Sequence, residues 1–280
     1  MAIEPDQLDR SGRELAAMLR RLRLQAGLSG ARLAARCNMS QSKISRIEGH
    51  KVRPSLLDVE QVLRALGTSA AVAADVMALA RIAQTEWQDG RSLRRKGLDK
   101  KQLQLAGLEA SSTTFRYFLL SMITGLLATP AYVRASLDDA PPEQRSKAVS
   151  LKLERQRVLF DRSKHFTFLM CEPAVRYPLI SRDELAVQID HLVSLSRQPN
   201  IRIGVIPMGA YLGPGALNTF TVYDESVATA EMDLGAIVFR DGRDILDLIR
   251  RFARYEERAL FDGDARGLLA EWAESCRDDL

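Results

Sequence analysis

The chain is poor in the residues that staple or metallate proteins. Of its 280 residues only three are cysteines, Cys37, Cys171 and Cys276, far apart and without a C-x-x-C pair. That excludes a disulfide framework or a zinc motif as the organising device. Three histidines, His50, His165 and His191, show no metal-ligand spacing, so neither a metal nor a cofactor is expected. No apolar run reaches the ~18 residues of a membrane span, and the opening MAIEPDQLDRSGREL has no apolar signal segment. A cytoplasmic protein without a membrane partner is expected. G-x-S-x-G, H-E-x-x-H, G-x-G-x-x-G and P-loop patterns are all missing. No nucleophile–base set emerges, and an enzyme is not expected.

What is present is ordinary in bulk and uneven in placement. Hydrophobic residues make up 46% and charged residues 27%, as in a globular protein. The net charge of +4 hides an asymmetry: residues 1–100 hold 18 Lys and Arg against 11 Asp and Glu, and residues 101–280 hold 22 against 25. Within 10–53 the count is 11 against 2. Basic charge gathered in one small region is a footprint for nucleic acid, although charge alone fits a solvated face as well.

Helical spacing dominates the first 85 residues after a loose polar lead-in at 1–10. Leu15, Met18, Leu19 and Leu22 mark a first helix, about 11–26. Ser29 starts a second, Asn38 breaks it, and Ser40 caps a third that Gly49 stops. Pro54-Ser55 opens a fourth, and Ala70–Gln84 reads as a fifth. The polar, basic stretch 88–101 reads as a linker or exposed helix. Beyond it, 113–127 is apolar and helical or buried, and 143–160 is a long helix with Val149, Leu153 and Phe160 on one side. Strands are expected at 166–171, 201–206 and 235–239, with a hairpin at 218–231. Ser181 and Glu184 make a capping box for the helix that follows. Helices are expected at 244–260, with Ile245, Leu248, Ile249, Phe252 and Tyr255 inward, and in a last segment with Leu268, Trp272 and Cys276 at one face. The fold class is therefore multidomain: an all-α five-helix domain at 10–85, a basic linker or helix at 86–106, and a mixed α/β (α+β) domain at 107–280.

The second and third helices, joined at Asn38-Met39-Ser40, have helix-turn-helix spacing. Leu33, Ala34, Met39, Ile44 and Ile47 would form the small core. The polar face of the third helix is then free for a major groove. Gln41 suits adenine, Arg46 suits guanine, and Ser40, Ser42 and Lys43 suit phosphate or base contacts. The run ARLAARCNMSQSKISRIEGHKVRPSLLDVEQVLRALG resembles the phage-repressor-like, or xenobiotic-response-element, helix-turn-helix family. The resemblance implies a double-stranded DNA operator and contact residues Ser40, Gln41, Ser42, Lys43, Ser45, Arg46, Lys51 and Arg53. His50 stands where that family usually has a turn glycine.

Later segments, among them ITGLLATPAYVRASL, EPAVRYPLISRDELAVQIDHLVSLSRQPNIRIGVIP and FARYEERAL, are similar to the WhiJ-like domain that follows this motif in actinomycete regulators. The family's usual P-G-L-L-Q-T reads T-G-L-L-A-T here, at 124–129. That resemblance implies a regulator; operators read by a helix-turn-helix are commonly two-fold, so a homodimeric transcriptional regulator is expected, its second domain receiving a small-molecule effector or a protein partner. The resemblance leaves open an antitoxin-like protein bound to a small acidic partner protein. Tyr117, Tyr132, Arg155, Arg157, Tyr211 and Phe220 are candidates for a ligand or partner pocket, with core packing or a solvated face as the alternative for each.

Overall fold

The structure, a computed structural model, describes residues 5–89, 98–138, 141–210, 213, 215–232 and 235–278. It divides into two compact units, Met1–Gln88 with Ile237–Asp241, and Asp89–Ala236 with Gly242–Leu280.

The first unit holds five helices, α1 (Pro5–Gln25), α2 (Gly30–Arg36), α3 (Gln41–Glu48), α4 (Leu56–Leu66) and α5 (Ala70–Ala83). Helix α1 begins at Pro5, so the lead-in expected at 1–10 is helical from its fifth residue. Serine side chains at 29, 40, 55 and 69 each accept a hydrogen bond from the backbone N–H three residues on. Each cap satisfies a donor that the helix itself leaves unpaired. Leu15, Leu19, Leu33, Ile44, Val59, Leu63 and Val76 fill the shared core. Gln84, itself buried, donates to Pro54 O at 2.7 Å and ties the end of α5 to the entry of α4.

Strand β1 (Thr85–Asp89) follows, then α6 (Leu98–Ser111). Part of the expected linker, 90–97, lies outside the described residues. The second unit is built on β2 (Thr114–Leu119), β3 (His165–Cys171), β4 (Ile201–Ile206), β5 (Thr219–Tyr223) and β6 (Val227–Met232). Their order is β6-β5-β2-β3-β4, with β3 parallel to β2 and β4, and β5 antiparallel to β2 and β6. The helical reading of 113–127 is corrected. Its first half is strand β2, and its second half is a loop whose Ile123, Leu126 and Leu127 are buried. Burial alone does not distinguish a helix from a fully covered strand. The remaining elements are α7 (Pro130–Ala135), α8 (Pro142–Arg155) with a 3₁₀ turn (Gln156–Phe160), α9 (Glu172–Arg176), α10 (Arg182–Leu195), β7 (Gly235–Phe239), α11 (Gly242–Glu256) and α12 (Asp262–Asp278). Phe160 is exposed rather than packed, because the α-helix tightens into that turn before reaching it.

Strand alternation gives the sheet two apolar faces. On one, Phe115 stacks on Phe166 and Tyr117 on Phe168, at centroid distances of 4.4 and 4.8 Å. On the other, Phe118 and Phe220 stack on each other and meet Tyr255 and Phe252 of α11. Loop 120–129 owes its burial to two glutamines. Gln156 Nε2 donates to Gly125 O and Ala128 O, and Gln188 spans Leu127 O and Thr129 N. These bonds supply partners that a buried loop cannot obtain from water.

Candidate nucleic-acid interface and second-unit cavity

Ile44 and Ile47, each 2% exposed, pin α3 to the core. Ser40 Oγ accepts from Lys43 N at 3.1 Å and fixes its start. Gln41, Ser42, Ser45 and Arg46 are exposed on the free face. Arg23 grips the far end: Nε and Nη2 donate to the two carboxylate oxygens of Glu48 at 2.6 and 2.8 Å, and Nη1 donates to Leu28 O at 2.8 Å. This bidentate pair joins α1 to α3 with little solvent access and sets the angle of α3. It also neutralises the one carboxylate of α3.

Of the eight expected contact residues, Gln41, Ser42, Ser45 and Arg46 lie on this face, Ser40, Lys51 and Arg53 flank it in the chain, and Lys43 is tied to a carboxylate. Its Nζ sits 2.7 Å from Asp58 Oδ1, beside the capping box of α4. Burial raises the Asp58 carboxyl pKa, but the hydrogen bonds from Lys43 and Ser55 outweigh it, so the group titrates below its ordinary value. Arg53 and Lys43 are half-buried, whereas Lys51 is exposed. A concavity of about 450 Å³ is lined by Gln41, Ser45, Arg46, Lys51 and also Arg20 of α1. Arg20 was legible only as one basic residue among several on α1; the packing of α1 against α3 is what brings it here.

The turn after α3 explains His50. Gly49 is the C-cap but has φ −87°, and it is His50 that takes the left-handed conformation, at φ +53°. Lys51 N then donates to Arg46 O at 2.8 Å and closes the helix end. Gly49 thus ends α3 as expected, while the left-handed turn falls one residue later. The imidazole of His50 lies over Gly12 of α1, where a Cβ would come 2.6 Å from Cε1. Gly12→Ala should push the ring aside and lower the melting stability by about 1 kcal/mol. Adding His50→Gly should recover that loss, since it removes both the ring and the positive-φ strain. A double variant no more stable than Gly12→Ala would show that the contact is not what constrains this turn.

The pocket candidates separate. Tyr117, Tyr132 and Arg155 line one cavity of about 290 Å³ in the second unit, together with Gln102, Thr221 and Tyr223. Phe220 does not join them: it alternates with Thr219 and Thr221 along β5 and so belongs to the opposite, α11-covered face. Arg157 is exposed on the 3₁₀ turn and does not line the cavity, and Tyr211 lies outside the described residues. Arg155 is clamped: Nε donates to Glu109 Oε2 at 2.9 Å, Nη2 to Glu109 Oε1, and Nη1 to Gln102 Oε1. Burial opposes the Arg155 charge, but the Glu109 bonds and charge outweigh it and keep the guanidinium protonated. Burial pushes the Tyr117 and Tyr223 phenols well up, against the opposing effect of Arg155, so both stay neutral O–H groups.

Cys37, Cys171 and Cys276 are free and buried. Among the described residues no group of three His, Cys, Asp or Glu could hold a metal ion, and no helix is long and apolar enough to cross a membrane.

Residues 14–76 match the family model described as a helix-turn-helix domain. Residues 102–271 match a second model, described as a domain of unknown function, DUF5753. No curated protein matches the chain. Among solved structures, NucT from Helicobacter pylori is similar at 9% identity and a TM-score of 0.38, over 63% of this chain and 97% of that one. The archaeal chromatin protein TrmBL2, whose structure is described as showing a novel mode of DNA binding, is similar at 11% identity and a TM-score of 0.32, over 59% of this chain and 51% of that one. Both likenesses are too distant to say anything of this chain's function.

Proposed function

We propose that this chain, which belongs to the DUF5753 family and carries a helix-turn-helix domain at its head, is a sequence-specific transcriptional regulator that inserts α3 into the DNA major groove. One observation carries the reading: Gln41, Ser42, Ser45 and Arg46 are presented together on a helix whose cap, buried isoleucines and Arg23–Glu48 clamp need none of them. Side chains that folding does not use are available to read bases.

In this reading Gln41 pairs with an adenine edge and Arg46 forks onto a guanine. Lys51, Arg53 and the newly placed Arg20 face phosphates, as do Ser40, Ser42 and the N–H groups at the start of α3. Lys43, tethered to Asp58, positions its charge at the groove margin and keeps donors for a phosphate. Operators read this way are commonly two-fold, which calls for a homodimer with two recognition helices one helical turn apart. The second unit then receives the signal that tunes binding.

The test starts from genomic fragments selected by the purified full chain and footprinted at several salt concentrations. Arg46→Ala and Gln41→Ala should each lose ~1–3 kcal/mol of discrimination, at one base position per half-site. Lys51→Ala should weaken all sequences alike and reduce the salt slope by about one. Footprints indifferent to both recognition-helix variants would overturn the assignment of α3.

A further inference from the structure

The cavity of the second unit has a composition that selects for a type of ligand. It lies between the Tyr117 face of the sheet and α6 and α8, with loop 120–129 forming one wall. Its volume of about 290 Å³ equals the share of roughly ten liquid waters, near the lower end for small-molecule sites.

Several hydroxyls converge on it, among them those of Tyr117, Tyr132, Thr221 and Tyr223. Tyr117 is 4% exposed, and its buried Oη makes no hydrogen bond of good geometry, its hydroxyl neighbour being the Tyr223 phenol on the same cavity wall. A well-placed acceptor on a ligand would give this hydroxyl a better partner. Thr221, directly opposite Tyr117 in the β2–β5 register, is buried as well. Tyr132 Oη accepts from Ile123 N at 3.1 Å, which leaves its own proton to donate. Between them stand apolar walls from Leu105, Leu119 and Met122.

Charge at the cavity is balanced. Arg155 is matched by the buried Glu109 that grips it; Lys152, whose Nζ donates to Ser136 Oγ at 3.1 Å, and Glu231 add one charge of each sign to the lining. The lining charges and Glu109 cancel, so an ionic ligand would forfeit its hydration with no net counter-charge to receive it. Oxygen acceptors on a neutral body would instead meet several O–H donors at once.

We propose that this cavity is a binding site for a small uncharged organic molecule bearing carbonyl-type oxygen acceptors on a flat apolar body. The site deepens the signal-receiving reading above and rests on it only for its consequence, not for its existence. Tyr117 and Thr221 set the specificity, and Tyr132 adds a third donor.

Coumarin, uncharged with two acceptor oxygens, serves as the probe, alongside benzoate and indole as charged and acceptor-free controls. Saturation-transfer NMR on the full chain should show coumarin binding more tightly than either control. Tyr117→Phe and Thr221→Val, both near-isosteric, should each weaken coumarin about tenfold. Tyr117→Phe should melt close to the parent, since it deletes a hydroxyl that makes no hydrogen bond of good geometry. Absence of coumarin binding, equal or tighter binding of benzoate or indole, or indifference to both variants would overturn the site. Selected operator fragments give a separate readout: coumarin that binds but leaves DNA affinity unchanged would sink the signal reading and leave the site standing.

Discussion

Glu109→Ala is expected to destabilise the second unit by about 3–5 kcal/mol, the cost of stranding a buried charge. Glu109 is 2% exposed, and its partner Arg155 offers one tenth of its side chain to solvent. With Glu109 removed, Arg155 keeps Gln102 but has no carboxylate to balance it. Calorimetry should show one of the unfolding transitions falling on the order of 10 °C, as expected for a unit of this size. Replacing both partners, as Glu109→Leu with Arg155→Met, should recover most of the loss, because a matched apolar pair has no desolvated charge to leave behind. A single variant that melts like the parent would mean that the pair is hydrated and contributes little. Glu109 and Arg155 are 46 residues apart and join α6 to α8, so the same variant should also disturb the cavity they border.

Gly204→Ala should be the second large effect. Gly204 lies in β4, and a Cβ there would stand 2.6 and 2.7 Å from ring carbons of Phe261 and 2.8 Å from Leu169 Cδ2. Phe261 has little freedom to retreat. Its neighbour Leu260 exchanges two backbone hydrogen bonds with Val205, and the Arg202 guanidinium covers its ring at 4.5 Å. Overpacking of this kind costs about 1–3 kcal/mol. The double variant Gly204→Ala with Phe261→Ala should cost less than the sum of the two singles, a coupling that a double-mutant cycle in urea measures directly. Strict additivity would show that the ring is not the obstacle.

The two predictions differ in how far the sequence could have anticipated them. Neither Glu109 nor Gly204 stood out in the chain: one was a carboxylate at the end of an unremarked segment, the other a glycine inside a strand. By contrast, the helix-turn-helix was legible almost residue by residue. Ser29, Ser40 and Ser55 cap the helices they were expected to start, and Asn38 takes φ +53° in the turn assigned to it. The Ser181–Glu184 capping box also forms as read. These features are local. A cap is satisfied within three residues and a turn within four, so a short window of sequence contains both partners.

Strands β3, β4 and the β5–β6 hairpin were readable for the same reason, since alternation and bounding turns are short-range signals. The pocket residues were not. Tyr117 and Phe220 looked equivalent as aromatic residues in apolar stretches, and only the β2–β5 register sends them to opposite faces. His50 found its reason in Gly12, 38 positions earlier, and loop 120–129 in Gln156 and Gln188 further on. Short-range signals in the chain therefore set which elements form, where they start, and which helix presents an unused polar face. Packing set which charges are paired, which glycines are indispensable and which hydroxyls meet in a cavity. Those outcomes depend on contacts between residues tens of positions apart, and such contacts exist only once the chain has packed.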